Sequence, residues 1–264
     1  MRHRHSRGGQ VFGNLIGLAL FILIAIWWMA PDRRGNEREV DVDQVAEIDR
    51  EMTPSAAGEP REGIAAVVLL DVSGSMADEV AESGDGGRKI DIARRAALDL
   101  VRQFDRYAKA HPEEAVVVGL FEFSGERERD RGPTTREVIP LLPPDPGRAE
   151  EALAQMMPNG GTPIGDALIV GKRALDMAGF NRRHLLVVTD GENTDGYRPA
   201  DVMAALTRRP ESERPSVYFV AFDIAAARFE AVKNSGGLVL AAANAKELTD
   251  TLDFLLTGKI LVEQ

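Results

Sequence analysis

Ala66-Val67-Val68-Leu69-Leu70-Asp71-Val72-Ser73-Gly74-Ser75-Met76 is the stretch on which the reading of this chain turns. Five apolar residues in unbroken succession describe a strand covered on both faces, as in a parallel sheet. The run stops on an aspartate, and two serines follow at intervals of two. An extended segment leaving a strand points Asp71, Ser73 and Ser75 the same way. Gly74 lets the chain turn tightly between the serines.

Further runs of the same kind follow at Ala115–Phe121, Leu185–Val188 and Val217–Phe222, with a weaker one at Leu238–Leu240. Between them lie helical patterns. Ile90, Ala93, Ala97, Val101, Phe104 and Ala108 recur at helical spacing. Other helices are expected over residues 147–157, 164–178, 199–207, 225–234 and 245–256. Residues 136–141 read as a short edge strand, expected antiparallel, ended by Pro143-Pro144. Strands alternating with helices predict a doubly wound, Rossmann-like α/β sheet, mostly parallel, with helices on both faces. Sites in such sheets gather beyond the carboxyl ends of the strands. The first run ends in Asp71-Val72-Ser73-Gly74-Ser75, and the Leu185–Val188 run ends in Thr189-Asp190-Gly191-Glu192. The turn Asn159-Gly160-Gly161-Thr162-Pro163 precedes the helix leading into the latter strand.

Asp71, Ser73, Ser75, Thr162 and Asp190 are hard oxygen donors. Such a set suits magnesium, manganese or calcium rather than zinc or copper. Hydroxyls are neutral ligands, so a cation held by two or three of them keeps uncompensated charge. An open position that attracts an outside carboxylate is the consequence. Helix capping by Asp71 and the serines is the plain alternative for that segment taken alone.

Together the Asp71–Met76 segment, the Gly160–Leu168 loop and Thr189-Asp190-Gly191 resemble the von Willebrand factor type A domain and its metal-ion-dependent adhesion site. The resemblance covers about residues 64–256. It implies that Ser73 and Ser75 bind a metal directly and that Thr162 does so directly or through water. Asp71 and Asp190 would act mainly through water and by orienting the hydroxyls. The remaining ligand would be an Asp or Glu of a protein partner, and the setting an envelope protein complex. Residues 77–88 depart from the family by their length. This acidic, glycine-rich insertion is expected to be a surface excursion; the sharper alternative is that Glu79 or Asp78 plugs the metal.

Ahead of this domain, residues 11–30 are dominated by Leu, Ile, Phe, Ala and Trp, and no charge falls between Gly8 and Pro31. About 20 helical residues cross a bilayer core of roughly 30 Å, and Trp27 and Trp28 suit its headgroup boundary. An uncleaved anchor is expected rather than a signal peptide, because the run is long and Trp28-Met29-Ala30 lacks a small-x-small site. The basic tail, residues 1–10, favours an N-in orientation with the domain on the extracytoplasmic side. Residues 31–63 read as a linker, with a short amphipathic helix across Val40, Val45 and Ile48, and residues 64–264 as the domain.

Among the 264 residues, Lys and Arg number 32 against 42 Asp and Glu, a net charge of -10. That disfavours nucleic-acid binding, which needs a positive field. Cysteine is absent, which excludes disulfides, thiolate zinc sites and cysteine nucleophiles. With four histidines, histidine-cluster chemistry has little to work with, and His184 beside Arg182 and Arg183 reads as satisfied or solvated. Glu192 and Asp195 read as a solvated acidic loop. A phosphatase of the haloacid-dehalogenase kind needs a second Asp two residues after its nucleophile; Ser73 stands there. No G-x-S-x-G elbow is present for a serine hydrolase. A binding module rather than an enzyme is expected. A structural subunit that binds metal for stability alone is the remaining alternative.

Overall fold

The computed structural model describes residues 42–53, 60–81, 87–125 and 134–263. Six strands form one sheet: β1 (Arg61–Asp71), β2 (Val116–Phe123), β3 (Thr135–Leu142), β4 (Phe180–Thr189), β5 (Ser216–Phe222) and β6 (Leu238–Ala242). Their spatial order is β3-β2-β1-β4-β5-β6. Every neighbouring pair is parallel except β2 with β3. The antiparallel strand carries Pro140, which cannot donate to a ladder, and it lies at the edge where that costs least.

Among the described residues seven α-helices connect and flank the sheet: α1 (Val42–Glu51), α2 (Lys89–Ala110), α3 (Pro146–Ala154), α4 (Ile164–Ala178), α5 (Pro199–Thr207), α6 (Glu230–Asn234) and α7 (Ala245–Leu255). Local chemistry sets several of their ends. The Asp145 carboxylate accepts from the N–H groups of Gly147 and Arg148, and Pro146 occupies the first turn of α3. Asn244 accepts from Glu247 N–H while the Glu247 carboxylate accepts from Ala243 N–H, a reciprocal cap on α7.

β1 is buried from Gly63 to its end, as its unbroken apolar run requires. Ile64, Ala66, Val68 and Leu70 face one core with α2, α3 and α7, which contribute Leu100, Phe104, Leu153 and Leu252. Ala65, Val67 and Leu69 face the other with α4 and α5, which contribute Leu168, Leu175 and Val202. Period two along one strand thus serves two hydrophobic layers.

The second layer includes a helix from the segment read as linker. Val45, Ile48 and Met52 are completely buried on the α1 side. Arg209 Nη2 pairs with the Asp49 carboxylate at 3.0 Å, and Lys172 Nζ donates to the Met52 carbonyl at 3.0 Å. α1 and the strands that follow it thus belong to one compact unit. Val45 and Ile48 were visible in the sequence at helical spacing, and the expected Val40 lies outside the described residues; Met52 and the surface that receives these side chains were not visible. The expected membrane span, residues 11–30, lies outside the described residues, as does most of the linker. Among the described residues no helix is long and apolar enough to cross a membrane.

Candidate metal centre

β1 and β4 are adjacent, and the strand order reverses between them. Leu70 pairs with Val188 in register, so Asp71 and Thr189 emerge side by side at the carboxyl edge. This is the switch point at which α/β sheets open a crevice. The Asp71 carboxylate is wholly buried there. Its Oδ1 accepts from Ser73 N–H at 2.7 Å and its Oδ2 from the Thr189 hydroxyl at 2.5 Å. Burial pushes the Asp71 carboxyl up to about 7, against the lowering pull of the bonds from Thr189 and Ser73.

Ser73 Oγ and Ser75 Oγ lie 3.2 Å apart, and Ser75 Oγ donates to Asp190 Oδ1 at 2.8 Å. Ser73 is buried while Ser75 is exposed, so the pair opens outward through Ser75. The third loop is tied to the first by backbone bonds, Gly74 N–H to the Gly160 carbonyl at 2.9 Å and Asn159 N–H to the Val72 carbonyl at 2.8 Å. Gly160 has a φ of +74°, and a Cβ there would stand 2.7 Å from the Gly125 carbonyl oxygen. Only glycine suits that turn. Thr162 N–H donates to the Thr194 hydroxyl at 2.7 Å, which fixes its orientation from the β4 loop. A Cβ added at Gly191 would meet Thr162 Oγ1 at 3.3 Å and Ser75 Oγ at 3.9 Å. The absent side chain therefore leaves a cradle on which both hydroxyls converge.

All five residues expected from the sequence thus stand at one edge, four of them linked by hydrogen bonds and Thr162 beside Gly191. Among the described residues no group of three or more acidic or histidine side chains forms a cage; the donors here are hydroxyls with two carboxylates. Neighbouring ligands on an octahedron with bonds of about 2.1 Å are about 3 Å apart, and the two serine hydroxyls show that spacing. The donor set fits a hard divalent cation.

Two residues of this edge were missed. Lys89, first in α2, donates from Nζ to Asp190 Oδ2 at 2.9 Å and pairs with Asp223 Oδ2 at 3.0 Å. Burial pulls the lysine down, but its bonds to the two aspartates outweigh that and raise it overall. Asp223 follows β5, so the search beyond strand ends that found Asp190 would have found it too. Nothing local in the sequence marks Lys89.

The insertion is closed at its base. Glu79 and Arg88 form a bridge, Val80 N–H donates to the Gly87 carbonyl and Lys89 N–H to the Asp78 carbonyl. Asp78 and Glu79 are exposed, and residues 82–86 lie outside the described residues. Asp195 accepts from the Thr194 hydroxyl at 2.9 Å and so supports the Thr162 loop. Glu192 pairs with Arg228 at the surface. His184 is completely buried rather than solvated, stacked on Tyr218. Burial, with help from the Arg182 charge, pushes it down to about 3, so it is neutral.

The fold and this edge define a doubly wound α/β domain with its polar site at the switch point. Residues 66–192 match the family model of the von Willebrand factor type A domain. These domains are generally adhesion or interaction modules rather than enzymes, and often metal-dependent. The uncharacterized protein YwmD of Bacillus subtilis (strain 168) is 31% identical over 156 residues, covering 56% of this chain and 64% of its own length. A von Willebrand factor type A structure from Catenulispora acidiphila superposes with a TM-score of 0.54 at 20% identity, over 72% of this chain and 41% of that one. The pilus adhesin SpaC from Lactobacillus rhamnosus GG gives 0.58 at 14% identity, over 76% and 30%. The chain thus spans less than two thirds of the length of each of these three.

Proposed function

We propose that this protein is a membrane-anchored von Willebrand factor type A module that binds a protein partner through a divalent cation. Asp71, Ser73, Ser75, Thr162 and Asp190 hold magnesium, or manganese or calcium in its place, as a metal-ion-dependent adhesion site. The reading rests on one observation: two serine hydroxyls stand 3.2 Å apart beside carboxylates whose oxygens are already engaged by protein donors. When bound, the metal supplies a positive charge that neutral ligands leave uncompensated. Ser73, Ser75 and Thr162 present their hydroxyls, Asp71 and Asp190 orient them, and an Asp or Glu of the partner completes the shell. No catalytic step is assigned.

Residues 11–30 supply the anchor, with the N-terminus inside and the domain on the extracytoplasmic face of an envelope complex. The protein then fractionates with membranes, resists high-salt washing and is digested by external protease once the outer envelope is permeable. Affinity capture with magnesium against chelator tests the binding role. A partner retained by the metal-loaded protein and lost with chelator or with Asp71→Ala supports it. Equal capture in all three conditions refutes it.

A further inference from the structure

The proposed metal centre contains a cation of its own, and its placement bears on which ion the centre accepts. We propose that Lys89 sets the cation selectivity of this site: by holding Asp190 Oδ2 it keeps that carboxylate from chelating an ion, and so favours magnesium and manganese over calcium. The proposal rests on the metal-binding reading above and concerns a residue outside its ligand set.

Every oxygen of the two carboxylates already accepts a bond. Both oxygens of Asp71 are taken, Oδ1 by Ser73 N–H and Oδ2 by the Thr189 hydroxyl. Asp190 Oδ1 takes the Ser75 hydroxyl at 2.8 Å, and Oδ2 takes the Lys89 ammonium at 2.9 Å. Each oxygen keeps a second lone pair, but the ammonium on Asp190 Oδ2 repels an ion approaching that oxygen, so Asp190 is disfavoured from turning both oxygens on one ion. Calcium takes six to eight oxygens and commonly uses bidentate carboxylates, whereas magnesium keeps several waters and needs few protein ligands. A site of hydroxyls with carboxylates already engaged suits the second ion.

Lys89 is held firmly enough to act this way. Its side chain is nearly buried, and Asp223 grips the same ammonium at 3.0 Å. Its N–H is bonded to the Asp78 carbonyl, which fixes the start of α2. Asp223 has a φ of 54°, the left-handed region that residues other than glycine seldom adopt. That turn brings its carboxylate onto Lys89 and not onto solvent. Were the ammonium absent, Asp190 Oδ2 would be released beside the Ser75 hydroxyl, and Asp223 Oδ2 would keep only the bond from Ala81 N–H at 3.4 Å, a donor set closer to what calcium takes.

The test is calorimetric titration of the full-length protein with magnesium, manganese and calcium chlorides, for wild type, Lys89→Met, Asp223→Asn and Ser73→Ala. Wild type should bind magnesium and manganese at least tenfold more tightly than calcium. Lys89→Met should cut that ratio about tenfold, chiefly by tighter calcium binding. Asp223→Asn, which leaves the lysine with one anchor, should move the ratio the same way by less, and it decides the matter if Lys89→Met does not fold. An unchanged ratio in a folded Lys89→Met, or in Asp223→Asn where that variant decides, overturns the selectivity role. Loss of all binding in Ser73→Ala alongside an unchanged ratio would leave the metal-binding reading standing and sink this one alone. Absence of divalent binding to wild type would sink both.

Discussion

Lys89 and Lys172 are both drawn out of water against carboxylates, and their surroundings differ in one respect. Lys172 is completely buried on α4 and pairs with Asp176 at 2.5 Å, a carboxylate it shares with Arg183. Burial outweighs that one partner and lowers the lysine. Lys89 meets two carboxylates, Asp190 and Asp223, and is raised. Around Lys172 the cations outnumber the acid they share, and its remaining bond goes to the Met52 carbonyl of the α1 segment. Around Lys89 the acids outnumber the cation, with Asp71 and three hydroxyls close by. A buried ion cluster with no acid to spare joins pieces of a fold. One that keeps surplus negative charge at an open edge is prepared for a further cation.

The largest effect that could break this comparison lies at α1. A chain beginning at Arg61 loses the burial of Val45, Ile48 and Met52, each worth about 1.5–3 kcal/mol. It should be roughly 5 kcal/mol less stable to urea than a chain beginning at Val40, since Lys172 and Arg209 also lose their α1 partners. Equal midpoints would mean that the Lys172 cluster joins nothing. Next, Lys172→Met should cost about 3 kcal/mol, because it leaves a buried acid with one cation fewer. That loss should be the same with magnesium or chelator. A loss that magnesium relieves would link the two clusters and blur the distinction.

At the other cluster, Ser73→Ala should leave metal-free stability within about 1 kcal/mol of wild type. It should abolish a gain of about 2.7 kcal/mol expected when free metal reaches about a hundred times Kd. A mutant that gains as much as wild type in a thermal melt would remove the metal from this edge.

The smallest step, taken one pH unit at a time, is a slope with pH in metal-free buffer. Asp71 titrates at about 7 in the folded protein against an ordinary 3.8. Between those values the folded state binds the extra proton, so this contribution to stability falls as pH rises from about 4 to about 7. His184 titrates at about 3 against an ordinary 6.5. The folded state there binds fewer protons, so its contribution falls as pH drops from about 6.5 to about 3. Each slope is about 1.4 kcal/mol per pH unit, and between about pH 4 and 6.5 they oppose. Wild type should be nearly flat in that window. Asp71→Asn should lose stability steadily as the pH falls through it, by urea midpoints at three pH values with chelator present. A flat Asp71→Asn profile would show that the His184 burial effect is absent.

The signals that were legible in the sequence are those that act over a few residues. Unbroken apolar runs mark strands buried on both faces, and Asp71, Ser73 and Ser75 advertise their shared direction by a spacing of two. Asp190 was found because a strand end is a place where polar side chains can gather. α1 showed its apolar stripe at Val45 and Ile48, yet its docking depends on α5 and on Lys172 and Arg209, which lie far along the chain, so it read as linker.

By itself, then, the chain's local order determined a doubly wound α/β domain and the five oxygen donors at one end of its sheet. Tertiary structure alone decided that Lys89 reaches Asp190 across 101 residues, that Lys172 meets the Met52 carbonyl across 120, and that His184 is sealed under Tyr218. The reason is physical. Periodicity and spacing record which way a side chain leaves its own segment. The partner it meets is set by strand order and register, which follow from packing the whole chain at once.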